Sequence, residues 1–153
     1  MAGEGEKTIA VNRKARHDYF IEESVEAGLV LLGPEVKSLR EGRVNLKDGY
    51  ARIDRRGQAL LIGVHISPWT HTRRDTLDPD RPRRLLMHRR EIDRLGGKTR
   101  ERGYTLVPTR LYFKGGRAKV EIGLARGKEA HDKRATLREQ QAKREIERAL
   151  KAR

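Results

Sequence analysis

The chain has 153 residues, enough for one domain with a single modest core. Only 35% of its residues are hydrophobic, 38% are charged and the net charge is +14; part of the length is therefore expected to be solvated, and the expected partner is a polyanion, whether RNA, DNA or an acidic membrane surface. Cysteine is absent, which excludes disulfides and thiolate metal sites, and no apolar run approaches the ~20 residues of a membrane span.

Residues 1–8 are rich in Gly and Glu and read as a disordered N-terminus. They lack the apolar stretch of a secretory signal, so the chain is expected to be soluble and cytoplasmic. From Ile9 to Leu32 the pattern is strand-like. In HDYFIEE, Tyr19 and Ile21 fall on one face and Phe20 on the other. EAGLVLLG is an apolar run of strand length in which Gly28 suggests a bulge or a close backbone approach. GPEVKSLREG reads as a short helix: Gly33 at the cap, Pro34 in the first turn, Glu35 at the positive end of the dipole and Gly42 closing it. Residues 50–66 read as a hairpin around Arg55, Arg56 and Gly57, and residues 67–82, with three prolines, as a loop. A second helix is expected from about Asp80, with Leu85, His88, Ile92 and Leu95 on one face and Gly96–Gly97 as its stop. The clearest element is YTLVPTRLYFKGGRAKVEIGLARG, where Gly115–Gly116 makes a tight turn and Ala118, Val120, Ile122 and Leu124 alternate with other residues. Pro108 marks an edge or a bulge.

These elements predict an α+β, mainly β fold: a small antiparallel OB-like barrel over 9–126 with two or three packed helices. A basic tail follows over 127–153. From Arg126 to Arg153 there are ten Lys/Arg and five Asp/Glu, a local +5. Ala142, Ile146, Ala149 and Leu150 have helical spacing, but the stripe is thin, so the tail is expected to be disordered alone and to fold against a polyanion. A solvated helix docked on the barrel is the alternative.

Several stretches together resemble the SmpB (SsrA-binding protein) family: NRKARHDYFIEE (12–23), EAGLVLLGPEVKSLREGRVNLKDGYA (26–51), GYTLVPTRLYF (103–113), KVEIGLARGK (119–128) and HDKR (131–134). The resemblance implies an OB-like barrel that binds the tRNA-like domain of transfer-messenger RNA (tmRNA) and carries it to stalled ribosomes. It implies a tail that enters the empty mRNA channel near the decoding centre of the small subunit and becomes helical there. It places Asn12, His17, Tyr19, Glu26 and Leu86 on the RNA-facing surface, and Lys128, His131, Asp132, Lys133 and Arg134 among the ribosome contacts. Glu129 departs from the lysine usual in the family, which puts that one contact in question.

The chemistry of these residues fits, beside plainer readings. Arg13 and Lys14 suit a phosphate backbone and the Asn12 amide a base edge; a solvated basic arm is the plain reading. His17 and Tyr19 can stack on unpaired bases, or be a surface histidine and a core tyrosine. Glu26 makes sense on an RNA face only as an acceptor from a base amino group or as a partner to a cation. Leu86 can cover an unstacked base or belong to the core. His-Asp occurs at 17–18 and 131–132, but no metal-ligand spacing, phosphate loop or nucleophile motif accompanies it. The chain is expected to be a monomeric RNA-binding protein without cofactor rather than an enzyme. A general OB-type or ribosomal RNA-binding protein is the runner-up, and a metal phosphohydrolase a distant third.

Overall fold

The computed structural model describes residues 5–69 and 78–151, the side chains at 129–140 excepted. Its elements, in chain order, are β1 (Glu6–Val11), α1 (Arg13–Asp18), β2 (Tyr19–Leu29), α2 (Gly33–Arg40), β3 (Val44–Asn45), β4 (Tyr50–Ile53), β5 (Ala59–Ile62), β6 (His65–Ile66), β7 (Arg83–Leu86), α3 (Arg89–Thr99), β8 (Tyr104–Lys114), β9 (Arg117–Gly127) and α4 (Lys128–Lys151).

All strand pairs are antiparallel, in the order β1-β8-β4-β5-β7-β2-β9. Because β9 also pairs with β8, the ladder runs round and returns to β8. The sheet is therefore barrel-like, with thin joints where β4 meets β8 and β7 meets β2. A separate ribbon, β3–β6, lies beside it. The two glycines of the β8–β9 turn have φ of +57° and +76°, values that cost other residues a steric penalty. That turn sets the register of the longest hairpin, in which Leu106 faces Leu124 and Leu111 faces Val120. These residues, with Leu61, Leu39 of α2 and Leu95 of α3, are almost wholly buried in one core.

Two irregularities give both faces of the sheet work. At Pro108–Arg110 the β8 register shifts, as proline requires, since it cannot donate to the ladder. At Glu22 the β2 register shifts against β9: Ile21 faces Ala125, but Glu23 faces Leu124. Before this bulge Tyr19 and Ile21 pack with Ala15, Val107 and Ala125 under α1; after it Val25 and Ala27 enter the main core. Gly28 bends nothing, but a Cβ there would stand 3.3 Å from that of Leu86.

Three expectations need correction. The first strand starts at Glu6 rather than Ile9, because β1 pairs with β8 as far as Lys114. Arg13–Asp18 is helical, not extended; one buried residue, Ala15, is too little for a periodic signal. Residues 83–86 are a strand, with Arg83 and Leu85 inward and Arg84 and Leu86 outward. The following helix starts at Arg89 and continues through Gly96 and Gly97. Two glycines cost about 2 kcal/mol in a helix, which burial of Ile92 and Leu95 offsets.

An ion cluster fixes β7 to α2. The Glu35 carboxylate accepts from Arg83 Nε at 2.8 Å, from Arg81 Nε at 3.1 Å and from the Leu32 N–H at 3.0 Å. Arg83, 1% exposed, also donates to the carbonyls of Val64 and Pro79. Burial pushes the Glu35 carboxyl up, but Arg81, the Leu32 N–H and Arg83 outweigh it and hold it below its ordinary value.

Candidate nucleic-acid interface

The first candidate surface is α1 and its joint. Asn12 caps the helix: its Oδ1 accepts from the Ala15 N–H at 3.1 Å. Its Nδ2 donates to the carbonyls of Leu46 at 3.1 Å and Pro108 at 2.9 Å, and its backbone N–H to Thr109 at 2.8 Å. At 4% exposure it has no group left for a ligand. The amide expected to read a base edge is turned inward here: Asn12 joins β1, α1, β8 and the 46–49 turn, and so fixes the residues beside it.

Those residues are three cations and a histidine. With Ala15 buried, Arg13, Lys14, Arg16 and His17 point outward and are exposed. Lys14 Nζ lies 3.3 Å from Asp48, and His17 Nδ1 lies 3.0 Å from Asp18. Lys14, Tyr19, Lys47 and Tyr50 border a depression of about 340 Å³ beside the helix. Tyr19 is half-buried, its ring against the α1 cluster.

Glu26 and Leu86 belong to a different region. Glu26 lies seven residues beyond Tyr19 on β2, about 23 Å at the strand rise. Its Oε2 accepts from the Tyr112 hydroxyl and from Lys114 Nζ at 3.4 Å. The Tyr112 hydroxyl, with Lys114 and Lys119, holds its carboxyl below the ordinary value. Tyr112 is 2% exposed, and burial with the Glu26 hydrogen bond pushes its hydroxyl far up. The Arg110 guanidinium lies 3.9 Å above its ring and bridges to Glu6 and Glu121. Glu26 is thus a carboxylate tethered by the Tyr112 hydroxyl and Lys114. Leu86 is 55% exposed at the side of Gly28, not in the core.

The tail leaves the barrel as one helix, α4. Lys128 Nζ sits 4.9 Å above the Phe20 ring, and every residue of 141–151 is exposed. His131, Asp132, Lys133 and Arg134, and the departure at Glu129, lie outside the described side chains. The sequence singled out neither Phe20 nor its neighbours Arg126 and Tyr104, though an exposed aromatic between charged residues is legible as HDYFIEE. Among the described residues no group of three His, Asp or Glu is placed to hold a metal ion, and no helix is long and apolar enough to cross a membrane.

A family model described as SmpB protein matches residues 9–152. An SsrA-binding protein of Geobacillus thermodenitrificans is 58% identical over 151 residues, covering 99% of this chain and 96% of that one. One of Carboxydothermus hydrogenoformans is 59% identical over 148 residues, covering 97% and 99%. Among solved structures, a chain described under "tmRNA-SmpB: a journey to the center of the bacterial ribosome" is 48% identical with a TM-score of 0.66, covering 78% of this chain and 83% of its own.

Proposed function

The chain belongs to the SmpB family, and on that premise we propose that it is an RNA-binding protein of ribosome rescue, working in the cytoplasm as a monomer. Its barrel binds the tRNA-like domain of tmRNA and accompanies that RNA to stalled ribosomes. The helix α4 enters the vacant mRNA channel near the decoding centre, where Lys128, His131, Asp132, Lys133 and Arg134 meet the ribosome.

The observation that carries this reading is a division of the positive charge. One share stands on a rigid base: Arg13, Lys14 and Arg16, with His17 beside them, are held outward by a helix whose cap and buried face are fully used. The other share lies on a helix whose described distal residues, 141–151, are all exposed. A cationic helix with so little apolar surface gains its free energy from an anionic partner rather than from the barrel. Two surfaces of this kind suit two RNA partners engaged together.

A gel shift with the tRNA-like domain tests the first half. Ordinary tRNA should compete weakly; equal competition would instead mark a general RNA-binding protein. A chain ending at Arg126 tests the second half. It should still bind the tRNA-like domain and fail to support tagging of stalled peptides, and simultaneous loss of both activities would refute the division.

A further inference from the structure

Three strands bring an aromatic ring, a cation and a second ring into one row. Phe20 on β2 stands opposite Arg126 on β9, and Arg126 opposite Tyr104 on β8. Directly opposed residues of an antiparallel sheet share a face. Two residues along, Leu106 and Leu124 pair within the core. The row therefore lies on the core-facing side, one step past the point where the core ends. The α1 cluster around Ala125 and Val107 is on the other side, so this row is separate from the α1 cations.

The row is open to solvent. Phe20 is 52% exposed, the Arg126 side chain 55%, and Tyr104 is half-buried. Glu22 braces it, accepting from the Tyr104 hydroxyl at 3.2 Å and pairing with Arg126 at 3.0 Å. Each ring also has an ammonium at its face: Lys128 Nζ at 4.9 Å from the Phe20 centroid and Lys98 Nζ at 6.0 Å from that of Tyr104. A ring face that receives a lysine is one a nucleobase can reach, and the displaced ammonium then has a phosphate to meet. Strands lie about 4.8 Å apart, so positions two strands apart are separated by about 10 Å. That is too far for successive bases of a helix, about 3.4 Å along each strand, and suits bases splayed from an extended strand.

We propose that Phe20, Arg126 and Tyr104 form a stacking platform for two unpaired nucleotides of single-stranded RNA. The proposal rests on the RNA-binding reading above and adds a site to it. The rings supply sequence-tolerant stacking; Lys98 and Lys128 supply the phosphate contacts.

The test is fluorescence anisotropy of an eight-nucleotide oligoadenylate with the full-length protein. Phe20→Ala should weaken binding about ten-fold or more, leave the salt slope unchanged and leave the melting curve near that of the parent. Phe20→Trp should retain affinity, and duplex RNA of the same length should compete poorly. Equal binding of the oligonucleotide by Phe20→Ala, failure of Phe20→Trp to retain it, or no oligonucleotide binding at all overturns the platform. The tRNA-like domain is titrated in parallel. If it binds while the oligonucleotide result is negative, only the platform falls; if neither RNA binds, the RNA-binding reading falls with it.

Discussion

Replacing Asn12 by Ala separates a structural joint from a binding residue. The substitution removes the bonds to the Ala15 N–H and to the Leu46 and Pro108 carbonyls. Each net hydrogen bond is worth about 1 kcal/mol, and buried groups left without partners cost about as much or more. The loss should total about 3 kcal/mol, with the helix cap included. For a chain of this size that lowers the melting temperature by about 10 °C. Thermal denaturation followed by circular dichroism measures it, and a titration with the tRNA-like domain well below the new midpoint measures binding. The folded variant should keep the parent's salt slope, because no phosphate contact has been removed. A variant that melts like the parent yet loses RNA affinity would refute the assignment and make Asn12 a direct contact.

Other outcomes follow from the same geometry. Replacing Arg13 and Arg16 together by Ala should cut the log–log salt slope of RNA binding by about 1.4–1.8, at 0.7–0.9 per phosphate, with little change in melting because both are exposed. Glu35→Gln leaves Arg83 as a buried cation facing only carbonyls and should destabilise by about 3–5 kcal/mol, measured by urea denaturation; an Arg83→Met, Glu35→Leu double variant should lose less than the two single variants summed. The Glu35 carboxyl is held below its ordinary value of 4.5 in the folded state. Its stabilising contribution is therefore complete above that value and is lost as pH falls through the lower folded value. Glu35→Gln should accordingly flatten the acid limb of the melting temperature against pH. Gly123→Ala would bring a Cβ within 2.9 Å of the Ile21 side chain and should cost about 1–3 kcal/mol by overpacking, read from the same urea curves.

Local chemistry made some elements readable and hid others. The β8–β9 hairpin was plain because its turn needs two residues at positive φ and its strand alternates. The α2 helix was plain because proline and glutamate mark its start, although its N-cap is Leu32. The stretch 83–86 was misleading: an arginine on the inward face gives no apolar period, and its partner Glu35 lies 48 residues away. Exposed cations of the site were legible in composition and order, whereas the burial of Asn12 depends on carbonyls 34 and 96 residues distant. The Phe20–Arg126–Tyr104 row is likewise a product of register, which no single stretch of the chain encodes.

The extra residue at Glu22 gives β2 two allegiances. Pair the same residues regularly, without the bulge, and Tyr19 and Ile21 would swing from the helix-covered side to the barrel side while Phe20 took their place, because strand parity allows no half-steps. Shortening the strand by Glu22 alone would leave Ile21–Ala125 and Glu23–Leu124 as adjacent pairs and keep both faces, at the loss of the carboxylate that holds Tyr104 and Arg126.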